Sequence, residues 1–107
     1  MNLSNNTLVL ITMFNEKENI NKVLKDCKVY FKNILCVDDG SRDNSLEIVE
    51  AFRDVKIISH CINCGQGTAL NTGLKYFIKN KDYNNLVTID ADGQHSASDA
   101  KLMLNLL

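Results

Sequence analysis

Four short apolar runs, each closed by a polar turn and each followed by a helical period, constrain this chain more than any other feature. Residues 8–11 and 34–37 are unbroken apolar runs, and residues 55–58 and 86–89 are nearly so. Runs without polar alternation suit strands buried on both faces, as in a parallel sheet. Between them Ile20, Val23, Leu24 and Cys27 recur at helical spacing, then Ile48, Val49 and Phe52, then Leu70, Leu74, Phe77 and Ile78. A fourth helical pattern begins near Ser96 or Ser98 and runs to the end of the chain. The order β-α-β-α-β-α-β-α predicts an α/β fold. Right-handed crossovers would place helices on both faces of a parallel sheet of about four strands. The chain has 107 residues, with no linker and no repeat, so residues 1–107 read as one unit around one core.

The chain contains no proline, so its turns must rely on Gly, Asn, Asp and Ser. Asn15 with Glu18 three residues later reads as a capping box for the first helix. Ser41 or Asp43 reads as the cap of the second. Gly73, inside the third helical pattern, reads as a point of close helix–sheet packing.

Charge and hydropathy exclude several classes. A net charge of −1 and few aromatic residues leave no basic, base-stacking surface for nucleic acid. No apolar run approaches the ~18–20 residues that span a bilayer. Residues 1–6 are polar and do not form a signal peptide. Cys27 and Cys36 sit in apolar patterns and read as core residues of a reduced protein, so the expected location is cytoplasmic. Cys61 and Cys64 form a C-x-x-C pair with no second pair at metal-binding spacing. Residues 101–107 include four leucines and a methionine with no polar finish. That ending reads as a helix cut short, with the parent chain continuing.

In an open sheet of this kind ligands sit at the carboxyl ends of the strands, where the strand order reverses. Each predicted strand ends in polar residues. The fourth ends in Asp90-Ala91-Asp92-Gly93-Gln94-His95. Two carboxylates one residue apart can reach one hard cation, Mg²⁺ or Mn²⁺, with Gln94 adding a neutral oxygen. Such a cation would neutralise a departing diphosphate. The same residues also suit an ordinary polar turn. The second strand ends in Asp38-Asp39-Gly40-Ser41, where a carboxylate can accept from a base N–H or a ribose hydroxyl. The third ends at His60 and leads to Gly65-Gln66-Gly67, whose backbone N–H groups at a helix start favour an anion. Glu16, after the first strand, is either a first-turn helix acid or a ligand contact.

Together these residues resemble the family 2 glycosyltransferases, which have the GT-A fold. Phe14-Asn15-Glu16 is similar to the family's Y/F-N-E turn. Residues 37–43 are similar to V-D-D-G-S-x-D, residues 63–73 to N-x-G-x-G-x-A-x-N-x-G, and residues 90–95 to D-A-D-x-Q-H. These four motifs fall in order over almost the whole chain. The last looks most like the dolichol-phosphate and polyprenyl-phosphate sugar synthases. Thr12 stands where the family usually has proline, as do Ser96 and Ala97 after the histidine; those prolines shape turns rather than supply chemistry.

The resemblance implies a Rossmann-like GT-A nucleotide-binding half. Thr12, Phe14, Asn15, Glu16, Asp38 and Asp39 would hold the nucleoside, with Asp39 on the base, and Gly65 and Gly67 the phosphate side. Asp90, Asp92 and Gln94 would hold the divalent metal and diphosphate. The donor would be a UDP- or GDP-linked sugar, transferred with inversion to an acceptor such as a polyprenyl phosphate or a growing glycan. The base and acceptor site of the family would lie beyond residue 107, so this segment alone is expected to bind nucleotide without transferring sugar.

A second reading is a non-catalytic nucleotide-binding or receiver-like signalling module. A receiver needs a lysine ending its last strand, and none follows residues 86–89 at that place. A third is a structural half-domain that self-associates through a bare sheet edge.

Overall fold

The computed structural model describes residues 6–92 and 104–105. The chain runs β1 (Thr7–Met13), α1 (Ile20–Tyr30), β2 (Asn33–Asp38), α2 (Ser45–Glu50), β3 (Val55–Ser59), α3 (Gln66–Lys79), β4 (Asn85–Asp90) and β5 (Leu104–Asn105). The sheet order is β3-β2-β1-β4-β5. The first four strands pair in parallel, and β5 pairs antiparallel with β4.

The apolar runs became strands because both sheet faces are covered. Alternate β1 side chains point to opposite sides. Val9, Ile11 and Met13 pack with Ile20, Val23, Leu24 and Cys27 of α1 and Val49 of α2. Leu8 and Leu10 pack with Ala69 and Phe77 of α3. The topology explains the division. From β1 to β3 the chain steps outward with α1 and α2 on one face. It then crosses back to place β4 on the far side of β1, which puts α3 on the other face. The direction of winding therefore reverses between β1 and β4.

Several local expectations are corrected. Asn15 does not cap α1; Asn19 holds the cap position and makes no side-chain cap hydrogen bond. Ser41 does not cap α2, whose cap position is Asn44. Leu70 and Ile78 of α3 face outward, and its buried residues are Ala69, Gly73 and Phe77. The small residues lie against the sheet because the helix approaches it closely: a Cβ on Gly73 would overlap the Leu10 side chain. A helix running to the end of the chain is overturned at Leu104–Asn105, which form a strand pairing with Leu86 and Asn85 and cover part of the outer edge of β4. The rest of that predicted helix lies outside the described residues. Among the described residues no helix is long and apolar enough to cross a membrane.

Candidate functional site

The strand ends are held in line by the register. Thr12 pairs with Asp90, Met13 with Asp38, and Asp38 with Ser59. The ladder continues one bond into each loop. Asp39 N donates to Met13 O at 2.8 Å, His60 N to Asp38 O at 2.8 Å, and Ala91 N to Thr12 O at 3.3 Å. The polar loops are thereby brought to one rim, where the reversal between β1 and β4 opens a cleft of about 310 Å³.

Of the residues singled out from sequence, Thr12, Phe14, Glu16, Asp39, Gly65, Asp90 and Asp92 line this cleft. Met13, Asn63, Gln66, Ala69 and Ala91 complete the wall. Phe14 keeps 42% of its surface exposed, so an aromatic face stands at the mouth. Asn15, Asp38 and Gly67 are not part of the lining. Gln94 lies outside the described residues.

Asn15 and Asp38 have other work. Asn15 adopts φ 53°, in the left-handed region that asparagine tolerates better than most residues. Its N–H donates to Ser41 Oγ at 2.9 Å, and its Oδ1 accepts from Arg42 N at 2.8 Å. The adjacent Glu16 N donates to Ser45 Oγ at 2.7 Å and Lys17 N to Asp43 Oδ2 at 3.3 Å. The loop after β1 is therefore fastened to the loop after β2. Asp38 is buried and accepts from Ser41 N and Ser59 Oγ, both at 3.3 Å.

Asp39 is tightly held. It is buried, and its Oδ1 lies 2.8 Å from His60 Nδ1 and accepts from Cys64 N at 2.9 Å. Its Oδ2 accepts from Gly65 N at 2.8 Å. Burial pushes its pKa up, but the hydrogen bonds from His60, Cys64 and Gly65 and the nearby imidazole outweigh burial and hold it below the ordinary carboxylate value. The ionised group thus ties the end of β2 to the turn that opens α3. Gly40 makes this approach feasible: at φ 77° it lies under the peptide joining Ile62 and Asn63, and a Cβ there would sit 2.6 Å from Asn63 N.

His60 is the site residue that sequence reasoning undervalued. Its Nε2 lies 2.9 Å from Thr72 Oγ1, so the ring bridges Asp39 to α3. The only signal was its place at a strand end, because its partners are 21 and 12 residues away.

On the opposite wall Asp90 Oδ1 accepts from Gln66 Nε2 at 3.0 Å. Asp90 and Asp92 are both half-buried and face the same cleft. Two carboxylates so placed fit a hard divalent cation. The arrangement can therefore hold a base or ribose near Phe14 and Asp39, and a cation with its phosphates near Asp90 and Asp92.

Residues 8–107 match the family model described as glycosyl transferase family 2. The chain is 36% identical over 105 residues to an uncharacterised protein of Methanocaldococcus jannaschii, covering 94% of this chain and 46% of that one. It is 33% identical over 112 residues to the UDP-N-acetylglucosamine–dolichyl-phosphate N-acetylglucosaminyltransferase of Methanococcus voltae, covering 85% of this chain and 43% of that enzyme. The crystal structure of S. aureus TarS in complex with UDP superimposes with a TM-score of 0.67 at 26% identity, covering 80% of this chain and 27% of that one. The chain thus spans less than half the length of these relatives.

Proposed function

The chain belongs to glycosyl transferase family 2, and from that membership we propose that it is the donor-binding part of a sugar transferase. The observation that carries the reading is the convergence of Phe14, Asp39, Asp90 and Asp92 on one cleft at the switch between β1 and β4. The donor is a nucleoside diphosphate sugar. Phe14 offers its ring to the base, and Thr12, Glu16 and Asp39 offer polar groups to the nucleoside. Three of the four lone-pair positions of Asp39 are taken within the chain, so one on Oδ2 remains for a ligand donor. Gly65 lines the same cleft, but its N–H already donates to Asp39 Oδ2 and is not offered to a phosphate.

Asp90 and Asp92, with Gln94, would hold Mg²⁺ or Mn²⁺, which would supply positive charge to a leaving diphosphate. The likeness to a UDP-bound structure and to a UDP-N-acetylglucosamine-using enzyme supports a UDP donor; a GDP donor is the alternative that the motifs admit. The acceptor is a polyprenyl phosphate or a growing glycan, transfer inverts the anomeric carbon, and no residue of this chain is assigned the base. Four free cysteines suit a reducing, cytoplasmic setting.

Thermal unfolding with UDP, GDP, CDP and ADP in the presence of Mn²⁺ tests the reading. A ligand at ~100 times its Kd stabilises by about 2.7 kcal/mol, so a selective rise in Tm with UDP or GDP is expected. Equal, negligible shifts with all four would overturn it.

A further inference from the structure

We propose that Asp39, His60 and Cys64 form a binding site for a thiophilic divalent cation of the zinc class, separate from Asp90 and Asp92 but sharing the Asp39 carboxylate with the proposed nucleoside site. A carboxylate oxygen, an imidazole nitrogen and a thiol sulfur from these residues all lie within 4.8 Å of one another. Mixed oxygen, nitrogen and sulfur donors suit zinc, whereas Mg²⁺ and Mn²⁺ prefer oxygen alone.

Two of the three donors are already oriented. Asp39 is buried and fixed by Cys64 N and Gly65 N. The His60 ring is fixed from its far side, where Nε2 lies 2.9 Å from Thr72 Oγ1, and the Thr72 hydroxyl donates to Thr68 O at 3.0 Å. A metal-bound imidazole needs such an outer partner. With the cation on Nδ1 the ring keeps its proton on Nε2, Thr72 accepts it, and the Thr72 hydrogen stays on Thr68.

Cys64 is exposed, and its thiol makes only a long contact, 3.4 Å, to Ile62 O. On binding, the thiol proton leaves to solvent. The proton between Nδ1 and Asp39 leaves as well or, in a neutral ring, moves to Nε2. Metal–ligand distances of about 2.0–2.3 Å set tetrahedral donors roughly 3.3–3.8 Å apart. The 2.8 Å Asp39–His60 contact must therefore widen by about half an ångström. A water fills the fourth position.

The test is a titration of the reduced, full chain with Co²⁺ as an optical stand-in for zinc. A thiolate-to-cobalt charge-transfer band that saturates at a single equivalent and is displaced by Zn²⁺ is expected. Cys64→Ser should lose the band. Both Cys64→Ser and His60→Gln should weaken binding by more than the ~10–100-fold cost of removing an outer partner. Cys61→Ser should keep the band. Circular dichroism checks that each variant is folded. No band in the parent chain overturns the site. So does a band lost in Cys61→Ser but undiminished in His60→Gln, which assigns the metal to the thiol pair alone.

Discussion

His60 Nδ1 lies 2.8 Å from Asp39 Oδ1, joining the end of β3 to the acidic turn after β2. The same carboxylate also receives two backbone N–H groups from the turn that opens α3, so Asp39 fastens the loop after β2 to the loop that joins β3 to α3. Removing the ring leaves a buried charge short of a partner. His60→Ala should therefore destabilise the chain by about 1.5–3 kcal/mol, the range for hydrogen bonds to charged groups. In a double-mutant cycle with Asp39→Asn by urea unfolding, a coupling of about 0.5–3 kcal/mol is expected for residues in direct contact. Strict additivity would show that the contact carries no stability.

Asp43 carries the pH dependence of the neighbouring turn. Burial raises its pKa, but the Ser45 hydroxyl and amide, the Lys17 amide and the Lys17 charge together bring it below the ordinary value. A depressed folded-state pKa contributes stability that is present above the unfolded value of about 3.9 and disappears as pH falls through the folded value. At neutral pH Asp43→Ala should cost about 1 kcal/mol, since the group is only half-buried and several of its bonds face solvent. The gap between parent and variant should narrow as pH falls below the unfolded value of about 3.9. A gap that is constant from pH 7 to pH 3 would contradict this role.

Asn15 separates a backbone effect from a side-chain effect. Asn15→Gly keeps access to the left-handed region but loses the bonds from Arg42 and Asp43. Asn15→Ala loses both, and a Cβ-bearing residue there costs roughly a further 1–2 kcal/mol. Chemical denaturation should rank the parent most stable, then the glycine variant, then the alanine variant. Alanine at or above glycine would exclude the loop geometry described.

Thiol chemistry should divide the cysteines two and two. Burial, with a smaller push from Asp26, raises Cys27 to about 12, and burial with Asp38 raises Cys36 to about 12. Neither forms thiolate near neutrality. Cys61 and Cys64 are exposed. An aromatic disulfide reagent should therefore modify Cys61 and Cys64 in the native protein, and Cys27 and Cys36 only after unfolding. Fast labelling of all four would contradict the packing.

Much of this was legible in the sequence, and the parts that were not share a cause. The strands were readable because residues 8–11 and 34–37 are apolar without alternation, which only burial on two faces permits. Gly73 was readable as a packing glycine because a helix interior otherwise disfavours it. The inner face of α3 was misread because Leu70 and Ile78 outrank Ala69 in hydrophobicity, while contact with Leu10 selects for small size. Asn15 looked like a cap because local rules see only its own helix; its partners lie 26 to 28 residues on. His60 was undervalued for the same reason. Contacts between loops depend on sheet order, which fixes which strand ends become neighbours and is not written in any one segment.

The most direct test of the central claim is calorimetric titration of this chain with UDP and GDP, each with and without Mn²⁺, on the parent and on Asp92→Asn. One nucleotide is expected to bind, Mn²⁺ should strengthen the binding at least about tenfold, a difference of ~1.4 kcal/mol, and Asp92→Asn should abolish the metal's effect. Binding unchanged by Mn²⁺ and by Asp92→Asn would contradict the assignment of Asp90 and Asp92. Binding of neither nucleotide would contradict the donor site itself.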